Sequence, residues 1–81
     1  MHFYVYMLIS KGSKPVSYVG YTNNLKNRIK MHNSNKGAKF TKGKKWKLAY
    51  YKTFKSKKEA MKQEYILKKN FKLRNQLKAI I

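Results

Sequence analysis

Twenty-one lysine and arginine side chains stand against two carboxylates in a chain of 81 residues, a formal charge of +19. No other feature constrains the fold as much. Charge at that density strains any compact state by self-repulsion, and a polyanion relieves the strain. Cohesion must come from apolar burial, and the means are present: 42% of residues are apolar and 15% aromatic, more than a disordered chain carries. The length suits one domain, residues 1–81, and is too short for two. The absence of cysteine excludes disulfides and thiolate metal sites. The sequence also holds no aspartate, which excludes the aspartate cluster that holds two metal ions in polymerase-type sites.

The charge points to nucleic acid, because lysine contacts to phosphate release counterions and supply sequence-independent affinity. An anionic membrane is the alternative, but the basic residues are spread along the chain instead of gathered on one amphipathic helix. No run approaches the ~20 consecutive apolar residues of a membrane span. The stretch from Met1 to Ile9 lacks the basic start and small-residue cleavage site of a signal peptide. The expectation is a complete intracellular chain, cytoplasmic or nucleoid-associated, with no membrane partner. Only Arg28 and Arg74 are arginine. Lysine suits a diffuse phosphate-attracting surface and arginine suits fixed bidentate recognition, so each arginine needs a reason.

His2 to Ile9 alternates, with Phe3, Val5, Met7 and Ile9 on one face and Tyr4, Tyr6 and Leu8 on the other, and reads as a strand. Turn residues from Ser10 to Pro15 lead to a second strand, Val16 to Tyr21. The resulting antiparallel hairpin puts Tyr6 and Tyr18 on neighbouring strands, in a register that the long turn leaves open. Thr22, Asn23 and Asn24 offer caps for a helix from Leu25 to Asn33. Its inward stripe is Leu25, Arg28, Ile29 and His32, which brings an arginine and a histidine to the face that meets the sheet. Residues 33–45 read as a polar, glycine-bearing loop. Trp46 to Phe54 is a third strand. Ser56-Lys57-Lys58-Glu59 matches a capping box that opens a helix to about Lys69, and Phe71 to Ile81 is a last, shorter helix. The order is β-β-α-β-α-α: an α/β (α+β) domain with a small three-stranded antiparallel sheet flanked by helices.

The two carboxylates differ in position. Glu59 has a structural use as the third residue of the capping box. Glu64 lies between Ala60 and Leu67 at spacings of four and three, in the stripe that faces the core. A carboxylate there is either ion-paired or aimed into a cleft as ligand for one divalent cation. The helical pattern leaves both open.

Taken together, these residues resemble the GIY-YIG nuclease superfamily, and within it the small stand-alone bacterial members. The first signature is Tyr4-Val5-Tyr6 and the second Tyr18-Val19-Gly20. The run Tyr21-Thr22-Asn23-Asn24-Leu25-Lys26-Asn27-Arg28-Ile29-Lys30-Met31-His32 resembles the family's passage into its first helix. Gly37-Ala38-Lys39-Phe40-Thr41 resembles a loop of the small members, and Lys57-Lys58-Glu59-Ala60 followed by Gln63-Glu64 resembles the helix that carries the metal-binding glutamate. The opening glycine of the first signature is here Tyr4. For the family's late asparagine, Asn70 and Asn75 are both candidates.

The resemblance implies DNA phosphodiester hydrolysis with one divalent cation, Mg2+ or Mn2+. It implies Tyr6 as the base toward water, His32 as acceptor or relay of that proton, and Tyr18 as the group orienting water or phosphate. Arg28 would clamp the scissile phosphate, and Glu64 would hold the metal. Each has a plainer reading. Tyr6 and Tyr18 serve as cross-strand packing, His32 as an ordinary core histidine, and Arg28 as the ion-pair partner of Glu64. Lys36, Lys39, Lys42, Lys44 and Lys45, with Lys47, form a candidate phosphate-tracking rim, with Phe40 or Trp46 available to stack on a base. Trp46, at the start of a strand, is better read as core. The competing function is a non-catalytic DNA- or RNA-binding module of the same fold. With no room for a targeting domain, specificity is left to DNA shape, to structure-selective or repair-related recognition, or to a protein partner.

Overall fold

Phe3–Ser10 (β1) carries no charged side chain, and in so basic a chain such a stretch can be covered on both faces. The computed structural model, which describes residues 2–80, puts β1 at the centre of the sheet. Ser17–Thr22 (β2) and Trp46–Phe54 (β3) flank it, both antiparallel, in the order β2-β1-β3. Every β1 residue from Val5 to Ser10 is buried. The alternation legible in the sequence therefore separates two apolar faces, where a half-exposed sheet would show one apolar and one polar face. Val5, Met7 and Ile9 join Val19 under Ala60 and Leu67 of α2 (Lys57–Lys69), with Leu73 and Leu77 of α3 (Phe71–Ile80) packed alongside. Tyr6 and Leu8 join Trp46 on the other face, under Leu25 and Ile29 of α1 (Leu25–Asn33).

The register left open by the long turn is Tyr6 opposite Gly20 and Leu8 opposite Tyr18. Tyr6 and Tyr18 therefore lie on the same face, diagonally across the pair, with ring centroids 6.4 Å apart. On the β3 side, Met7 pairs with Tyr50 but Leu8 with Leu48, so Ala49 is the extra residue of a bulge. The bulge lets both Ala49 and Tyr50 pack toward α2 and α3 while Leu48 returns to the α1 face.

Helix boundaries follow local chemistry. The Asn24 side chain accepts from the Asn27 amide at 3.1 Å to start α1, and Ser56 Oγ accepts from the Glu59 amide at 3.2 Å to start α2. Only this half of the expected capping box forms among the described residues, with Glu59 itself exposed. Asn70 breaks α2 from α3 and caps the latter: its Oδ1 accepts from the Leu73 amide at 3.1 Å. That use accounts for Asn70 structurally. Asn75 is exposed on α3.

The element order matches the sequence expectation, with β1 and β2 each displaced by one residue from the boundaries inferred above and Ile81 outside the described residues. The loop of residues 33–45 is more ordered than its polarity suggests. A 3₁₀ turn, Lys39–Thr41, sits within it, and Thr41 is fully buried. Asn33 clamps the loop's far end, accepting from the Trp46 amide at 2.6 Å and donating to the Trp46 carbonyl at 3.1 Å.

Met7 has no exposed surface, so Met7→Ala is expected to destabilise the fold by about 2–5 kcal/mol through lost burial and a residual cavity. Met61, half exposed on α2, is the control: Met61→Ala should change stability by no more than about 0.5 kcal/mol. Urea denaturation of the two variants beside wild type measures both.

Candidate active site at the β2 edge

An open cleft of about 590 Å³ runs along β2, the edge strand, and takes side chains from both faces of the sheet. From the α1 face come Tyr6, Tyr18 and Arg28; from the α2 face come Phe3, Tyr21, Lys57 and Glu64. Gly20 lies between them, and its missing side chain leaves room for the buried Tyr6 hydroxyl at the cleft wall. A Cβ at position 20 would stand 2.6 Å from the Tyr6 hydroxyl oxygen.

Behind Tyr6 is a series of hydrogen bonds. Its hydroxyl lies 2.8 Å from His32 Nε2, His32 Nδ1 lies 2.9 Å from Thr41 Oγ1, and the Thr41 hydroxyl donates to the Ala38 carbonyl at 2.8 Å. From the cleft side, Arg28 Nε donates to the Tyr6 oxygen at 3.4 Å. His32 and Thr41 are fully buried. Tyr18 closes over the imidazole with ring centroids 5.0 Å apart, Phe40 stacks on Tyr18 at 6.2 Å and 21°, and Trp46 meets Tyr18 edge-on. Gly37 passes so close to His32 Nδ1 that a Cβ there would collide with the ring.

This environment sets the protonation states. Burial pushes the Tyr6 phenol above its ordinary pKa of 10.0, opposed by the Arg28 hydrogen bond and reinforced by the negative charge of Glu64 across the cleft. Burial likewise lowers His32 below its ordinary 6.5, and the Arg28 charge lowers it further. The hydrogen bond to the phenol holds the Arg28 guanidinium in its charged form. At neutral pH the site holds a neutral phenol, a neutral imidazole and a cation.

Glu64 answers to both sequence readings. It forms an ion pair with Lys68 at 3.3 Å, one turn on, but Lys68 is 54% exposed and Glu64 19%, so the pair is of the weak surface kind. Its carboxylate also lines the cleft. Arg28 is spent on Tyr6 and makes no ion pair with Glu64 among the described residues. No three His, Cys, Asp or Glu residues cluster among the described residues. A cation here would take one carboxylate and complete its shell with water and substrate oxygens. That donor set suits Mg2+, which keeps several waters and leans on phosphate.

Of the residues singled out in the sequence, Tyr6, Tyr18, Arg28 and Glu64 line the cleft, and His32 lies one hydrogen bond behind it. Lys36, Lys39, Lys42, Lys44 and Lys45 are on the loop and do not line the cleft. Trp46 is core, its indole N–H donating to the Thr41 carbonyl at 3.0 Å, and Phe40 is left 55% exposed. Lys57, read from the sequence only as part of the run that opens α2, also lines the cleft. It sits seven residues before Glu64, two helical turns along the same stripe, so the period that located Glu64 could have located it. Thr41 had no such signal, because it lies in a loop without periodicity. Among the described residues no helix is long and apolar enough to cross a membrane.

Residues 2–78 match the profile of the GIY-YIG catalytic domain. A UPF0213 protein of Clostridium perfringens is 48% identical to this chain over 67 residues, spanning 82% of the chain and 70% of that protein. A UPF0213 protein of Staphylococcus haemolyticus is 44% identical over 78 residues, 95% of this chain and 92% of its own length. The solution NMR structure of a UPF0213 protein from Bacillus halodurans shares 42% identity, covers 99% of this chain and 85% of that one, and superposes with a TM-score of 0.53.

Burial of a neutral His32 has a pH consequence with a definite sign. Its folded pKa is below 6.5, so under acid the unfolded chain binds the extra proton first. Stability should fall as pH drops through 6.5 and level off below the folded-state value. Thermal midpoints between about pH 8 and pH 5 test this against the ordinary histidine range. A midpoint that holds or rises on acidification contradicts burial of the neutral ring.

Proposed function

Because the chain belongs to the GIY-YIG catalytic-domain family, a nuclease family, we propose that it is a divalent-metal-dependent endonuclease that hydrolyses DNA phosphodiester bonds, with a structure-selective or repair-related substrate. The observation that carries this reading is the convergence of Tyr6, Arg28 and Glu64 on one cleft, with His32 hydrogen-bonded behind Tyr6. On this reading its place of work is the cytoplasm, free or associated with the nucleoid.

The buried phenol is neutral at rest and is a poor base by itself. His32 Nε2, 2.8 Å away and kept neutral, accepts the phenol proton as Tyr6 takes one from the attacking water. Arg28, already against the Tyr6 oxygen, offsets the phenolate charge and presents its remaining N–H groups to the scissile phosphate. The water oxygen bonds to phosphorus as the bond to the 3′ oxygen breaks. Glu64 would hold a divalent cation, Mg2+ or Mn2+, which when bound would supply Lewis-acid polarisation of the phosphate and of the 3′ oxygen. Tyr18 orients the phosphate or water beside Tyr6, and Lys57 holds a flanking phosphate. The loop lysines, Lys36 to Lys45, track the backbone beyond the cleft, and Phe40 offers a stacking surface at its rim. On this reading DNA shape or a protein partner directs substrate choice.

The experiment is cleavage of labelled duplex, single-stranded, flap and four-way-junction DNA with Mg2+, Mn2+ or EDTA. Glu64→Gln should abolish cutting and retain binding. Arg28→Ala should slow it by about 10²–10³-fold, the size of effect expected from losing one transition-state donor. Tight binding without cutting under either metal would instead make the protein a basic binding module. Lys44→Ala should weaken binding alike on all sequences and lower the slope of log affinity against log salt by about one unit. A sequence-selective loss would contradict the phosphate role.

A further inference from the structure

Neutral imidazole has two tautomers, and only one leaves Nε2 able to accept from Tyr6. What chooses between them is the partner on the other ring nitrogen. That partner is Thr41 Oγ1, at 2.9 Å from Nδ1. A hydroxyl has a single proton, and the Ala38 carbonyl, 2.8 Å from the same oxygen, has none to give and must receive it. Thr41 then meets Nδ1 with a lone pair, which requires a proton on Nδ1 and leaves Nε2 bare.

Assigned this way, every donor finds an acceptor: Arg28 Nε–H to the Tyr6 oxygen, Tyr6 O–H to Nε2, Nδ1–H to Thr41, and the Thr41 hydroxyl to Ala38. The opposite tautomer aims two N–H groups at the Tyr6 oxygen and turns the phenol proton away from His32. It also takes the threonine proton from the Ala38 carbonyl. In so buried a place the fully satisfied arrangement prevails. Water has no room to substitute for the threonine, because Gly37 closes over Nδ1 and both His32 and Thr41 are fully buried.

We propose that Thr41 is the positioning residue of the site: it holds neutral His32 as the Nδ1–H tautomer and so keeps the Nε2 lone pair aimed at the Tyr6 hydroxyl. When the phenol O–H bond breaks and the Nε2–H bond forms, the ring becomes an imidazolium whose Nδ1–H already points at an oxygen lone pair. Nothing has to rotate during the transfer. The catalytic consequence rests on the nuclease reading above, whereas the tautomer itself does not.

The test combines long-range 1H–15N NMR of the imidazoles with cleavage kinetics for wild type, Thr41→Ser and Thr41→Val, in a His2→Asn background that leaves His32 as the single histidine. Wild type and Thr41→Ser should show a protonated Nδ1 and a bare Nε2. Thr41→Val, which removes the acceptor at nearly constant shape, should shift the ring toward Nε2–H. With it kcat should fall by about 10²-fold or more at unchanged KM, as expected for a catalytic imidazole in the wrong tautomer, with serine restoring the rate. Nε2–H in the wild-type spectrum overturns the proposal, and so does a folded valine variant that keeps Nδ1–H. If valine prevents folding, the wild-type and serine spectra decide the tautomer by themselves. If no variant cleaves DNA, the nuclease reading fails while the spectra still decide the role of Thr41.

Discussion

The hydrogen bond between Tyr6 and His32 is the interaction on which the rest of the site depends. It joins the central strand to α1 inside the sheet–helix interface, where an unpaired phenol or imidazole would be costly. Because the phenol must reach His32, Tyr6 lies on the α1 face of β1, and with it Leu8 and Trp46. Because the imidazole must be dry, Tyr18 covers it, and Phe40 and Trp46 pack against Tyr18 in turn. Because its far nitrogen needs an acceptor, a polar residue from a lysine-rich loop is drawn fully into the interior. Aromatic packing and acid–base geometry are here one arrangement, so the plain reading of these tyrosines as packing and the catalytic one are compatible.

Much of this was legible before the structure. The alternation of Phe3 to Ile9 gave a strand, and the helical spacing of Arg28 and His32 placed both toward the sheet. The capping residues Asn24 and Ser56 marked two helix starts that the structure keeps. What was not legible depended on contacts remote in sequence. The hairpin register needed the pairing of Tyr6 with Gly20 across a long turn. The bulge at Ala49 depends on the packing of two helices that follow it. Thr41 reads as loop by every local criterion, and its bonds to residues 32, 38 and 46 make its burial tolerable.

Charge explains the economy of the design. Of the two carboxylates in the chain, Glu59 is exposed at the start of α2 and does not line the cleft, which leaves Glu64 as the one the cleft could offer a metal. The remaining negative charge at such a site must arrive with the substrate. The same phosphate that would complete a cation's shell also relieves the repulsion among 21 basic side chains, so binding and relief of strain act in the same direction.

Tyr6 and Arg28 approach the cleft from one face of the sheet, Lys57 and Glu64 from the other, and β2 with its bare Gly20 is the narrow partition between them. The two halves rest on separate apolar clusters, one beneath α1 and one beneath α2 and α3, with β1 common to both. The two pairs have no direct hydrogen bond or ion pair to each other among the described residues. A phosphate seated over Gly20 would be the first group to touch both. On the nuclease reading, an edge strand with a side chain cluster on either face would therefore let a cationic clamp and an acidic metal ligand meet one substrate without first neutralising each other.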